Sequence, residues 1–421
     1  MIGGGLAGLA AALELASRRV DVTLLEARPT LGGAVQTLPE RDGDPDPPPD
    51  NGQHIALGCC TGYLAFLDRI GESGSYRRTP LVLPVVGEDG AVATIAPTPG
   101  ALLRYRHVPV ADRLRIPLVT ARCRGVRPRA GETFGALLRR LGASDAAVER
   151  FWDVFLRPAL NLKVDEADAS AGLFTVRTAL LGGRRASDLV LPTRPLGEMH
   201  GAAAGRTLER AGATVRTGAR VVQLDDLATD CCKVVLADGE ELQADRVLLA
   251  VPAAESARLL GEPEPKLEDS PIVSVHLLFD RRLLRQPLAA LLGSPAHWVF
   301  DRGALTGRRP PQGQYLTVVS SGAPELLEVR GRGLVDLMAG ELTGRLGQAE
   351  LLWSRVSREP QATFAVRPGS EAHRPGQETG YPNVVRAGAW TATGWPATME
   401  GAVRSGLEAA RALRVHEKIA A

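Results

Sequence analysis

The chain begins MIGGGLAGLAAALELA, and the glycines at 3, 5 and 8 strongly constrain its fold. Glycine at this spacing lets a strand turn sharply into a helix and lets main chain approach a pyrophosphate. It also lets the helix pack closely on a sheet. The helix start, at Leu6 and Ala7, offers free N–H groups and a partial positive charge to phosphate. Leu6, Leu9, Leu13 and Ala16 recur at helical spacing, and VDVTLLE (20–26) reads as a short buried strand. Glu26 ends that strand 18 residues past Gly8, where an acid accepts hydrogen bonds from a ribose. Among 46 glycines the spacing alone is weak. Loop, helix, strand and acid in this order predict a dinucleotide-binding βαβ start. Only Met1 and Ile2 precede Gly3, so the strand feeding the loop is expected to be stunted.

At 421 residues the chain calls for two domains or one large discontinuous one. Hydrophobic residues at 44% and charged residues at 23% are ordinary for a globular protein. A net charge of +2 gives no reason to expect a nucleic-acid partner. Nearly all positive charge is arginine, with lysine only at 163, 233, 266 and 418, which reads as composition bias. Cysteines at 59, 60, 123, 231 and 232 have neither metal-ligand spacing nor a disulfide framework. They predict reduced thiols, no metal site and a cytoplasmic location. A cleavable leader is not expected, because residues 3–8 already form the loop. No apolar run approaches the roughly 18 residues of a membrane span, so any membrane contact is expected to be peripheral.

ERDGDPDPPPD (40–50) reads as an exposed loop of mutually repelling aspartates, and LVLPVVGEDGAVATIA (81–96) as a hairpin about Asp89-Gly90. Residues 132–157 read as helical, 213–252 as a run of strands, and 270–280 and 313–322 as further strands with Pro- and Gly-rich links between. A strand at 384–390 leads through a loop to a helix from about Ala397 to Leu413. The expected fold class is α/β, a Rossmann-like nucleotide-binding domain of separated segments with an inserted α+β domain. The expected boundaries are 1–75, 197–262 and 376–421 for the first, and 76–196 and 263–375 for the second, substrate-binding domain.

Gly32-Gly33 adds a second close backbone approach after Glu26, and this spacing points to FAD over NAD. GGGLAGLAAALELA…VTLLEARPTLGG resembles the flavin amine oxidase and phytoene desaturase superfamily, whose members share a two-domain fold. DNGQHIALGCCTGYLAFLDRIG (50–71) and AGAWTATGWPATMEGAVRSG (387–406) are similar to its squalene-associated branch, the hydroxysqualene dehydroxylases. The likeness covers nearly the whole chain. It implies FAD as cofactor, bound at Gly3, Gly5, Leu6, Ala7, Gly8, Glu26, Ala27, Arg28, Gly32 and Gly33. It further implies contacts at Gly52, Val221, Gly388, Ala389, Thr398 and Met399, with the Met399 backbone at the flavin. Two positions depart from the superfamily: Ala34 stands where an arginine usually follows the doublet, and Ala389 where an aspartate usually precedes the tryptophan.

Pro396 near a helix start leaves Ala397, Thr398 and Met399 as candidates for unpaired N–H groups facing the cofactor. Glu400 is expected to brace that helix or a neighbouring loop. Asn51-Gly52-Gln53-His54 is expected against the flavin ring, Gly52 permitting close approach. Gln53 and His54 are the candidate catalytic residues. An imidazole titrating near neutrality would let His54 protonate a departing hydroxyl; the alternative is a histidine that only hydrogen-bonds flavin or backbone.

The resemblance implies reductive removal of the hydroxyl of hydroxysqualene, giving squalene in hopanoid biosynthesis, with hydride from reduced flavin. A carotenoid-type desaturase shares the polyprenoid substrate class and stays open. An amine oxidase is disfavoured by Thr398, which occupies a place often held by an aromatic residue. A non-catalytic prenyl-lipid-binding protein is the third reading. ALLRYRHVPVADRLRIPLVTARCRGVRPR (101–129) reads either as a basic amphipathic segment at the inner face of the cell membrane or as an arginine-decorated cap.

Overall fold

The computed structural model describes residues 1–413. From the N terminus the chain runs through helix α1 (Leu6–Ser17), strand β1 (Thr23–Glu26) and helix α2 (Thr61–Arg69). It crosses into a hairpin, β2 (Leu83–Val86) and β3 (Val92–Ile95), followed by α3 (Pro99–Leu103) and α4 (Val110–Arg122). It returns through β4 (Thr214–Thr217) and β5 (Val247–Leu249). It leaves again through β6 (Asp269–Phe279), β7 (Leu288–Leu291), β8 (Trp298–Asp301), β9 (Gln314–Ser321), α5 (Arg332–Leu346) and β10 (Leu351–Phe364). The last elements are β11 (Val384–Arg386) and α6 (Met399–Ala412).

The nucleotide-type sheet consists of two parallel pairs, β1 with β4 and β5 with β11. Its strands β1 and β5 are apolar on both faces, as a sheet covered on both sides requires. Between the pairs lies a strand reduced to Ile2, which bridges Leu25 on one side and Leu249 on the other. Four hydrogen bonds carry the junction: Gly3 N to Leu25 O (2.8 Å), Leu25 N to Met1 O (2.9 Å), Ile2 N to Leu248 O (2.9 Å) and Ala250 N to Ile2 O (2.7 Å). The stunted strand is therefore present as expected, and it completes the sheet. Helices α1 and α6 pack so closely that a Cβ on Gly406 would lie 2.1 Å from Ala7 O.

The other large sheet has seven strands, ordered β10-β6-β9-β8-β7-β2-β3. One face of β6, with Val273, Val275, Leu277 and Phe279, packs in the core with α5 residues Leu334, Val335, Met338 and Leu342. Alternation puts Ser274 and His276 on the opposite face.

Several expectations need correction. The helical stretch 132–157 is broken: a helix ends at Arg140, Gly142 takes φ +100°, and Ser144 caps the next turn. The 213–252 run divides, since β4 and β5 join the nucleotide-type sheet while 221–244 forms a separate antiparallel three-stranded sheet. The links between 280 and 313 contain β7 and β8. Residues 40–50 are not simply a solvated loop, because three of its aspartates find arginines from the seven-stranded-sheet region. Asp44 pairs with Arg355, Asp46 with Arg308, and Asp50 with Arg302.

Candidate active site

Two glycine-rich loops abut. Gly32 N donates to Gly4 O at 2.8 Å, and a Cβ on Gly33 (φ +61°) would lie 2.7 Å from Gly5 Cα. A Cβ on Gly3 (φ +104°) would strike Ala250 O at 2.3 Å, and one on Gly8 would strike Gly3 O at 2.0 Å. Helix α1 starts at Leu6 and Ala7 with no side-chain cap on Gly5, so its first N–H groups are left to a ligand. The buried Glu26 carboxylate accepts from Gly4 N (2.6 Å) and Arg28 N (2.8 Å), which holds it at the strand end. Ala27 is exposed beside it, and Arg28 Nη1 donates to Gly33 O at 3.2 Å, so its guanidinium stands at the doublet. Val221 is buried near this acid, two residues beyond Ala219, whose N–H donates to Glu26 O at 2.9 Å.

The C-terminal motif comes to the same cleft through the packing of α6 on α1. Gly388 N donates to Ser405 Oγ at 2.9 Å, and a Cβ on Gly388 would collide with the Trp390 indole. Arg374 is buried and donates to the carbonyls of Ala389 (3.2 Å), Trp390 (3.4 Å) and Thr391, fixing the loop around Ala389. Helix α6 begins at Met399, two residues later than expected. Thr398 N is spent on Pro396 O at 2.8 Å, and the Thr398 side chain caps Gly401 N at 3.2 Å. Glu400 is wholly buried and pairs with Arg404 Nε at 2.7 Å. It accepts Gly62 N (3.0 Å) and Tyr63 N (2.6 Å), so it caps α2, whose own Cys60 provides no side-chain cap.

The Asn51-Gly52-Gln53-His54 stretch is held from both domains. Asn51 Nδ2 donates to Ala34 O at 2.8 Å and to Glu359 Oε1 at 3.3 Å. A Cβ on Gly52 would lie 3.0 Å from Ser274 Oγ, so glycine is what permits this approach to β6. Gln53 Oε1 accepts from Arg302 Nη1 at 3.2 Å, which leaves the Gln53 Nε2 amide buried with no protein partner. Arg302 also meets Asp50 Oδ2 at 2.8 Å, with the two side chains 2% and 1% exposed. Asp50 Oδ1 accepts from Thr37 Oγ1 (2.8 Å) and Leu196 N (2.9 Å). Burial pushes the Asp50 carboxyl up, against the pull of Arg302. Ser274 Oγ and His276 Nε2 are buried without partners, and His276 Nδ1 meets Thr317 Oγ1 at 3.0 Å.

His54 is half-buried, and the protein around its ring pulls its pKa down to about 4, with His200 adding to the effect. The expectation of an imidazole titrating near neutrality is therefore corrected: His54 is neutral at pH 7. Nearby, His200 Nδ1 lies 2.9 Å from Leu196 O, an atom that only accepts. The Nδ1 proton is thus fixed, and Nε2 accepts from Tyr63 OH at 2.7 Å.

Asp50, Ser274, His276 and Arg302 were not singled out from the sequence. For Ser274 and His276 the available signal was the alternation in SPIVSVHLLFD, whose polar residues 270, 274, 276 and 280 all fall on one face. Apolar residues flank the two motifs in sequence. Ile55, Leu57, Trp390 and Ala397 pack against a core containing Leu189, Leu191, Trp298, Phe300 and Phe364.

The sequence profile described as flavin containing amine oxidoreductase matches residues 6–414. The chain belongs to that family. It is 30% identical to a hydroxysqualene dehydroxylase of Sinorhizobium fredii over 97% of this chain and 96% of the relative. The corresponding protein of Rhodopseudomonas palustris is 29% identical, with the same coverage. A 15-cis-phytoene desaturase of Solanum lycopersicum is 25% identical over 98% of this chain and 76% of its own length. Among solved structures, a putative protoporphyrinogen oxidase from Exiguobacterium superposes with a TM-score of 0.74 at 18% identity, covering 97% of each chain. The fold is thus the two-domain fold of flavin amine oxidases, and the protein is a flavin-dependent oxidoreductase with FAD as its cofactor. The collisions that a side chain would make at Gly3, Gly8 and Gly33 fit a main-chain cradle for its pyrophosphate. The uncapped start of α1 and the pinned Glu26 fit the same cofactor.

Proposed function

We propose that this oxidoreductase removes the hydroxyl of hydroxysqualene reductively, giving squalene and water in squalene and hopanoid formation. The observation that carries this reading is the likeness over 97% of the chain to two proteins named hydroxysqualene dehydroxylase. Partly buried Ile55, Leu57, Trp390 and Ala397, together with a small set of unpartnered polar groups, suit a hydrocarbon alcohol.

In the overall change a C–O bond breaks, a C–H bond forms, and the departing oxygen takes a proton to become water. Reduced FAD supplies the hydride when bound. The chain's own residues orient the alcohol and exclude water. Arg302 holds Gln53 Oε1, so Nε2 is the end of the amide turned to the departing oxygen. His54, being neutral, offers that oxygen a ring N–H. Ile55, Leu57, Trp390 and Ala397, partly buried and next in sequence to the two motifs, would give the reacting carbon an apolar surrounding.

Anaerobic incubation with hydroxysqualene and reduced FAD should yield squalene. Absence of squalene, with extra double bonds introduced into a phytoene-like substrate instead, would favour the desaturase reading, for which the phytoene desaturase relatives speak. A purified protein with no flavin spectrum, and none after adding FAD, would leave only lipid binding.

A further inference from the structure

Among the described residues, six of the nine exposed large apolar side chains fall in one short part of the chain: Val82, Val92, Leu103, Val110, Leu114 and Leu118. Three of them, Val110, Leu114 and Leu118, lie on α4. Ile116 and Val119 face inward, and Asp112 on the same side is buried and accepts from Ser144 Oγ at 2.6 Å. Val110, Leu114 and Leu118, four residues apart, form a stripe on the opposite side, 64%, 62% and 50% exposed. A helix on a globular surface ordinarily shows polar side chains there.

Charge surrounds the stripe. Arg104, Arg106, Arg115, Arg122 and Arg124 are exposed, as are Arg127 and Arg129. Asp112, the one carboxylate in 101–129, is buried, with Oδ1 4.0 Å from Arg115 Nη1. Arg113 donates to Leu103 O (3.0 Å) and Val108 O (3.1 Å), tying α3 to the start of α4 so that both helices present one surface. Among the described residues no helix is long and apolar enough to cross a membrane. Beneath the surface, Leu102, Ile116 and Val119 belong to the same apolar core that reaches Ile55, Leu57 and Trp390 at the candidate active site.

We propose that the outer face of α3 and α4 docks on an anionic lipid bilayer. The Val110, Leu114 and Leu118 stripe enters the headgroup–acyl boundary, and the surrounding arginines meet lipid phosphates. Docking there would hold the protein at the membrane in which a water-insoluble polyprenoid resides; this last point rests on the substrate reading above.

The test is vesicle flotation of the FAD-loaded protein without substrate, with phosphatidylcholine alone and with phosphatidylglycerol added, at about 50 mM and about 500 mM salt. The parent protein should float with the anionic vesicles, more at low salt. Leu114→Ser with Leu118→Ser should weaken binding roughly tenfold or more. Arg104→Gln, Arg106→Gln and Arg115→Gln together should weaken it roughly tenfold or more and flatten its salt dependence. Leu337→Ser with Leu352→Ser, elsewhere on the surface, should float like the parent. All these positions are exposed, and matching thermal midpoints would show that the variants fold.

Equal flotation of parent and both α3–α4 variants would overturn the proposal, as would a parent that floats equally with neutral vesicles at both salts. A parent dimer converted to monomer by the stripe variant, with flotation unchanged, would assign the face to a second copy and overturn it too. Squalene formation from detergent-dispersed hydroxysqualene, scored on the same proteins, separates the readings. No flotation with turnover intact defeats only the docking surface, and flotation without turnover defeats only the reaction.

Discussion

At Gln53 the two ends of one amide have different fates. Oε1 is tied to Arg302, and Nε2 is buried with nothing in the chain to bond. Replacing Gln53 by Leu should lower turnover about 10- to 100-fold while leaving the bound-flavin spectrum in place, as removal of an oriented donor would. Arg302→Met should act on folding first. It leaves Asp50 buried without its cation, and urea unfolding should show a loss of about 3–5 kcal/mol. Glu400 is a different case, a conspicuous acid in the C-terminal motif whose two oxygens are occupied by α2. Glu400→Ala should cost about 2–3 kcal/mol in urea unfolding, because it strands buried N–H groups. Glu400→Gln, which keeps one acceptor oxygen, should cost less.

Among the elements, the α1 start and the glycine doublet should be the most sensitive to small additions. Gly33→Ala places a methyl group 2.7 Å from Gly5 Cα at φ +61°, so FAD titration should show affinity reduced by about 100-fold or more. This half of the site was legible in the sequence because it is local and built from main chain. Gly3 to Gly33 lie in one short stretch, and glycine spacing reports backbone geometry directly. The other half was not legible. Asp50 and Arg302 are 252 residues apart, and nothing near either one reports that they meet and are buried. Nor did LLWSRVSREPQATF announce β10, since its polar residues and Pro360 mask a strand that pairs along one edge of β6. The proline-rich loop misled for a related reason. Aspartates in series look self-repelling until their arginine partners arrive from far along the chain.

For the whole molecule, acid should be the weak side. His54 and His200 have pKa values lowered to about 4, and His276 and His297 to about 3, in each case chiefly by burial. In the unfolded chain a histidine titrates near 6.5. Between that value and about 4 the unfolded state therefore takes up protons that the native state refuses. The stabilisation is full above pH 6.5 and is lost as pH falls through the window. Thermal midpoints measured from pH 7.5 downward should be flat at first and then fall increasingly steeply below about 6.5. The fall should be shallower in a His200→Gln variant, which has one buried imidazole fewer. A profile unchanged down to pH 4.5 would contradict this account.

The loop that clasps Arg302, Arg308 and Arg355 runs directly into Asn51 and Gln53. Separating this loop from the seven-stranded-sheet region would have to break the buried Asp50–Arg302 pair, and with it the hold of Arg302 on Gln53. Opening the molecule along this seam would therefore dismantle the buried polar group around Gln53. Tethering the 40–50 loop covalently to the seven-stranded-sheet region should accordingly leave turnover untouched.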